Sequence, residues 1–203
     1  MSTEVTSHET RRYRKRLRAE QERSTRQAIT EAAVKLHGTV GPARTTISGV
    51  AGEAGVQRAT VYRHFPDEAS LFQACSSHYA SLHPPPDPSS WTETLDPAQR
   101  LRRGLTDIYR WWDETEDMMS LVLRDAPLVE GMSAAVEAGR AYLDQVRKVL
   151  LRARPERGKA RRRASAAIGH ALAFSTWRSL VREQGLTNAE AVALMARMVE
   201  HPR

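Results

Sequence analysis

The sequence predicts an all-α fold in two parts, and three observations carry that prediction. Apolar residues recur at helical spacing through most of the chain, no segment keeps a period-2 alternation, and four prolines within residues 84–88 interrupt the helices. With 203 residues, 40% apolar and 27% charged, the chain can bury a sizeable core, which excludes wholesale disorder. A single cysteine, Cys75, excludes an intrachain disulfide scaffold and a Cys-pair metal site. No run approaches the roughly 18 apolar residues of a membrane helix, and the first ten residues are mostly polar. A cytoplasmic protein without a membrane partner is therefore expected.

Residues 1–20 lack an apolar stripe and are expected to form a flexible basic arm. The next segment, 21–82, reads as a helical domain. Ser24 and Gln27 make a capping-box pattern, followed by Ile29, Ala32, Ala33 and Leu36 on one helix face, with Gly38 as the stop. Gly41-Pro42 is a turn. A short second helix starts after Thr45 or Thr46 and carries Ile47, Val50, Ala51 and Ala54, with Gly55 just past its end. A third runs from about Gln57 to His64 and stops at Phe65-Pro66. Asp67 can cap a fourth, which holds Leu71, Phe72, Cys75 and Tyr79. Residues 83–90, HPPPDPSS, read as a stiff, extended connector. The second part, 91–203, has helices near 97–116, 118–125, 133–153, 160–184 and 188–200. Breaks fall at Asp125-Ala126-Pro127, at 154–158 and at Gly185, and Thr187 with Glu190 repeats the capping box.

Charge is distributed unevenly. The net +7 divides into 12 basic and 6 acidic residues over 1–66, against 19 and 18 over the remainder. The first third is thus suited to a polyanion and the rest is nearly balanced. Arg11, Arg12, Arg14, Lys15, Arg16 and Arg18 supply half of the twelve, so a basic tail on a neutral protein is the plainer alternative.

Residues 47–66, ISGVAGEAGVQRATVYRHFP, combine into something more specific. A helix-turn-helix needs a small residue where its helices touch, a glycine at the turn, and apolar residues beyond it; Ala51, Gly55, Val56 and Val61 fill those places. The outer face of the second of these helices carries Gln57, Arg58, Thr60, Arg63 and His64, and Arg and Gln are the side chains that read guanine and adenine bidentately. With its flanks, the segment from Ser24 to about Tyr79 resembles the N-terminal domain of the TetR (tetracycline-repressor-like) transcriptional regulators. The resemblance lies in Thr45-Thr46-Ile47, Ala54-Gly55-Val56 and the run Arg58-Ala59-Thr60-Val61-Tyr62-Arg63-His64-Phe65. A weaker likeness to the family's C-terminal dimerisation helices covers Trp177–Leu180 and Gly185-Leu186.

The resemblance implies a DNA-binding head whose third helix enters the major groove, with Thr45, Thr46 and Tyr62 holding phosphates. Where the family usually has a lysine near the start of the fourth helix, this chain reads Asp67-Glu68-Ala69; Glu68 repels phosphate, leaving Arg44 or the basic arm as substitutes. An Arg-rich arm can also enter the minor groove. Gly49 and Gly52 inside the short second helix each cost about 1 kcal/mol against alanine.

Tyr109, Trp111, Trp112, Met118 and Met119 form an aromatic and Met group suited to an adaptable apolar pocket, with Arg124 and His170 as candidate polar groups; ordinary core is the competing reading. Neighbouring Trp111 and Trp112 differ by about 100° around a helix, so at most one points fully inward. Asp113, Glu114, Glu116 and Asp117 splay over several faces and read as solvated surface, so neither metal nor cofactor is expected. Small residues Ala166, Ala167, Ala171 and Ala173 on the 160–184 helix, together with the 188–200 helix, suit a four-helix dimer interface. The expected function is sequence-specific DNA binding by a homodimeric repressor at a pseudo-palindromic operator, released by a small-molecule effector. The alternatives are an enzyme with an appended DNA-binding head and an architectural DNA-binding dimer. The chain lacks a Gly-rich phosphate loop and a nucleophile–base signature, which speaks against the enzyme.

Overall fold

The computed structural model describes the backbone of residues 3–200 and the side chains of residues 11–200. Its regular structure, among the described residues, is helical throughout: α1 (Thr3–His37), α2 (Ile47–Glu53), α3 (Arg58–His64), α4 (Glu68–Leu82), α5 (Pro97–Asp125), α6 (Ser133–Leu150), α7 (Gly158–Leu172), α8 (Phe174–Arg178) and α9 (Asn188–Glu200). Two compact units result. One holds the chain up to Tyr79 together with Leu121–Met132, the other Ala80–Ser120 and the chain from Ser133 on.

In the N-terminal unit, α1 is a single helix that includes the expected flexible arm, so residues 3–20 are helical rather than irregular. Residues 11–23 are mostly Arg, Lys, Glu, Gln, Ala and Leu, the strongest helix formers, and Arg16 pairs with Glu20 one turn on at 3.4 Å. The capping box at Ser24 is consequently absent. Helix already precedes it, and Gln27 donates to Glu31 at 2.8 Å instead.

Ile29, Ala32 and Ala33 of α1 pack with Val50, Ala51, Val61, Phe65, Leu71 and Cys75 into one core. Burial controls the polar groups at its edge. His37, stacked on Phe72 with centroids 4.7 Å apart, has its imidazole pushed down to about 4. The Cys75 thiol, donating to the Thr30 carbonyl at 3.8 Å, is pushed up to about 12.

In the C-terminal unit, α5 runs unbroken where two helices, 97–116 and 118–125, were expected; nothing at Glu116–Met118 forbids helical φ/ψ. Its Leu101, Leu105, Ile108, Tyr109 and Trp112 form the buried stripe, against Val146 and Leu150 of α6, Ile168 and Leu172 of α7, and Val192, Met195 and Val199 of α9.

The expected helix 160–184 is broken at Ala173, whose backbone is extended (φ −67°, ψ 135°), with α7 before it and α8 plus a π-helical turn, Ser179–Glu183, after it. No glycine or proline marks the break. The carbonyls it frees are taken from α5: the Tyr109 hydroxyl donates to Ala171 O at 3.0 Å and the Trp112 indole to Leu172 O at 3.1 Å. Two buried aromatics therefore satisfy what the helix gives up.

Nor does the proline segment stand apart as a connector. His83 O accepts from the Trp111 indole at 3.1 Å, Pro86 O accepts from the Tyr142 hydroxyl at 2.8 Å, and Pro88 and Trp91 are buried. The boundary between units accordingly falls at Tyr79/Ala80, inside α4, rather than at 83–90.

Candidate nucleic-acid interface

The helix-turn-helix is assembled from local signals that its residues satisfy. Thr46 is the N-cap of α2, its hydroxyl oxygen accepting from Gly49 N at 3.0 Å, and the hydroxyl proton remains available to an outside acceptor. Gly55 turns the chain with φ +65°, a conformation that costs a residue with a Cβ about 1 kcal/mol or more. Gln57 then caps α3 with extended backbone, and Val61 anchors α3 by complete burial.

That burial fixes what faces outward. Gln57, Arg58, Ala59, Tyr62 and Arg63 are exposed, while Thr60 and His64 are half-buried. Among the described residues, the side chains of Gln57, Arg58 and Arg63 make no intramolecular hydrogen bond or ion pair, so their donors stay available. Lys35 is committed elsewhere, pairing with Glu53 at 2.6 Å and tying α1 to α2.

Two further residues position this surface, and the sequence had not singled them out for it. Arg26 of α1 lies over the Phe65 ring at 4.0 Å and donates from Nη1 to His64 O at 2.5 Å, fixing the C-terminal end of α3. Asp125, 82 residues from Ala43, accepts from Ala43 N at 3.0 Å and from Arg124 Nε at 2.7 Å, which holds the turn leading into α2. The Arg124 guanidinium keeps the Asp125 carboxyl below its usual range. Gly41 fits this latch because its φ is +92° and a Cβ there would collide with both Arg124 and Asp125. Arg26 is one arginine among many in α1, and the Asp125 contact is too distant in sequence to leave a pattern.

Arg44 is exposed beside the latch; Thr45 donates its hydroxyl to Gly41 O at 2.9 Å. At the acidic start of α4, the Asp67 carboxylate accepts from Ser70 N at 2.7 Å. An acid there serves the helix terminus.

The family model described as bacterial regulatory proteins, tetR family, matches residues 29–75, the core and recognition helix just described. Over those residues the chain is similar to the TetR family. Two relatives from Pseudomonas putida are similar over 94 residues: the probable HTH-type transcriptional regulator ArpR at 36% identity and the HTH-type transcriptional regulator TtgR at 35%. Each alignment covers 44% of this chain and 43% of the relative, so the chain matches under half the length of either. Beyond the TetR domain the likeness is one of fold. A crystal structure of NalD, the secondary repressor of the MexAB-OprM multidrug efflux pump in Pseudomonas aeruginosa, superposes with TM-score 0.59 over 89% of this chain and 96% of that one, at 23% identity. A TetR-like regulator from Rhodococcus sp. RHA1 gives 0.59 over 87% and 93%, at 15% identity.

The residues expected to form a ligand site divide between places. Tyr109 and Trp112 lie in the core with their polar atoms bonded to α7, and Trp111 is half-buried with its ring centroid 4.4 Å from that of Trp112. Of the adjacent tryptophans only Trp112 points fully inward, as the helical angle requires. The rings continue from Trp111 to Tyr142 (5.8 Å), and from Trp112 through Phe174 (5.3 Å) to Trp177 (5.4 Å). Met118 and Met119 are half-buried, and Met119 packs on the core. His170 is exposed, 3.4 Å from the Thr176 hydroxyl, and Arg124 lies in the N-terminal unit at the latch. In the acidic run, Asp113 and Glu116 pair with Arg182.

Proposed function

We propose that the protein is a sequence-specific DNA-binding transcriptional repressor that works as a homodimer on a pseudo-palindromic operator. The observation that carries this reading is the outer face of α3, where Gln57, Arg58 and Arg63 are exposed on a helix locked by Val61, Phe65 and Arg26. In the major groove, Arg58 and Arg63 read guanine O6/N7 and Gln57 reads adenine N6/N7. Thr46, Tyr62 and Arg44 take phosphates and set the register, while Thr45 is left out because its hydroxyl proton is spent on Gly41 O. Dimerisation runs through α7, α8 and α9, where Leu194 and Met198 leave apolar side chains exposed one helical turn apart.

Release follows from a small apolar effector bound in the C-terminal unit near Trp111, Met118 and Met119. Tyr109 and Trp112 form the wall of such a site. Because α5 gives its last turn to the N-terminal unit, a shift of that turn reaches the recognition helix through Asp125 and Ala43. Linkage requires that the effector prefer the conformation whose recognition helices are wrongly spaced.

The experiment is selection of bound duplexes from a randomised library by the full-length protein, followed by affinity measurements on the winner. An inverted repeat bound well above random DNA at 150 mM salt is expected, with Leu194→Glu giving monomers and loss of the repeat preference. Recovery of no preferred sequence would overturn the reading.

A further inference from the structure

The basic segment of α1 is a helix, and that changes what it can contact. Arg11, Arg12, Arg14, Lys15, Arg16 and Arg18 lie within eight consecutive helical residues, all exposed, with no acid among them. At 1.5 Å per residue they occupy about 12 Å of helix, one positive charge per about 2 Å. Duplex DNA carries one negative charge per about 1.7 Å of axis. The spacing also sets like charges against each other: 11/14, 12/15 and 15/18 are three apart, and 11/15, 12/16 and 14/18 four apart, each a repulsive helix pair. Against these stands the one i,i+4 pair of Arg16 with Glu20. A helix so charged gains most from a regular polyanion alongside it.

The helix is also aimed. Arg26, in the same α1, is pinned to the C-terminal end of α3 through His64 and Phe65. Counting back along the axis, Arg18 lies about 12 Å and Arg11 about 22 Å beyond that pin. The charges therefore sit more than about 10 Å along α1 from the contact that ties it to the recognition helix. They are spread around the helix, so they meet a neighbouring backbone whatever the rotation of α1. A helix with side chains is about 10–12 Å wide and the minor groove about 6 Å, so this arm does not thread into that groove.

We infer that residues 11–18 form a rigid helical clamp on the phosphate backbone flanking the recognition-helix footprint, lengthening the DNA site beyond what the helix-turn-helix contacts. This rests on the DNA-binding reading above, and the test separates the two. Tyr13 and Leu17 are the apolar side chains of the segment, too few for the apolar face of a membrane-surface helix.

The test compares the selected duplex cut to its conserved core with the same core extended by ten base pairs on each side. Three full-length proteins are used: the natural sequence, a variant with the six cations changed to Gln, and Ala19→Pro, which keeps every charge and bends the arm. The natural protein is expected to bind the long duplex at least tenfold more tightly than the core. Its log-affinity against log-salt slope should also be steeper by about 2 or more, at about 0.9 per phosphate. The Gln variant should lose both differences while keeping its core affinity, and Ala19→Pro should lose most of the length effect. Equal preference for the long duplex in Ala19→Pro would overturn the rigid clamp in favour of a loose electrostatic tail. Equal slopes for the natural and Gln proteins on both duplexes, or arm-dependent binding to anionic lipid vesicles with no effect on DNA, would overturn the contact altogether. If Arg58→Ala leaves core binding intact in all three backgrounds, it is the recognition-helix reading that fails instead.

Discussion

The outer face of α3 and the aromatic row of the C-terminal unit are both rich in groups able to bind something, yet they are used oppositely. On α3 the helix is held by Val61, Phe65 and the Arg26 bond to His64 O, and the side chains Gln57, Arg58 and Arg63 are left exposed. In the aromatic row the polar atoms are spent: Tyr109 and Trp112 serve the broken end of α7, Trp177 donates to Asn188 at 2.9 Å, and Trp111 donates to His83. A surface built to contact a partner keeps donors that cost nothing while hydrated. A core cannot, because each unpaired buried group costs about 1–3 kcal/mol. Residue type alone does not separate the two cases; what surrounds each residue does.

The contrast can be broken most severely at Trp112. Trp112→Ala should cost about 3–5 kcal/mol of unfolding free energy, by loss of a buried ring and of the donor to Leu172 O. Chemical denaturation followed by helical circular dichroism measures it. A near-neutral result would mean that Trp112 is not a packed member of the core.

Next in size is the acid side of His37. Its folded-state value lies near 4 against 6.5 when free, so burial holds it neutral and the unfolded chain binds the proton first. The stabilising difference is complete above pH 6.5 and is lost as pH falls from there toward 4, on the order of 2–3 kcal/mol. His37→Phe should remove that part of the pH dependence; denaturation midpoints between pH 4 and 7 that still run parallel to the natural protein's would exclude His37 as its source.

Arg58→Ala reverses the pattern seen at Trp112. Its stability should change by under about 0.5 kcal/mol, while operator binding weakens by about 1–3 kcal/mol and the base preference relaxes. An unchanged sequence preference in repeat selection would remove Arg58 from base reading. Tyr62→Phe, by contrast, should weaken all sequences alike.

The smallest effect is expected at Gly52, where a Cβ would meet nothing within 4 Å. Gly52→Ala should stabilise the N-terminal unit by about 0.5–1 kcal/mol through helix propensity. At Gly49 a Cβ would come 3.3 Å from the Thr46 hydroxyl, so alanine there should give a smaller gain or none.

Much of the N-terminal unit was legible in the sequence because it is built from short-range rules. Thr46 and Asp67 cap backbone N–H groups three residues on, Gly55 turns the chain in place, and the apolar spacing of Ile29, Ala33, Val50 and Val61 names the core without reference to distant segments. The Thr187–Glu190 capping box formed as expected for the same reason, with Thr187 N donating to Glu190 at 2.8 Å. The helix over the arm was not legible because the arm lacks an apolar face, although its residues favour helix individually and α1 already provides the nucleus.

By itself the sequence determined the all-helical fold, the turn chemistry of the helix-turn-helix and the residues that α3 presents outward. Caps, glycine turns and 3.6-residue periodicity are local and need no partner. Tertiary structure alone decided the break at Ala173, the docking of Asp125 on the Ala43 turn and the folding of the proline segment onto Trp111 and Tyr142. In each of these a backbone group finds its hydrogen-bond partner tens of residues away. A carbonyl freed at Leu172 is tolerable only because the Trp112 indole arrives from another helix to meet it.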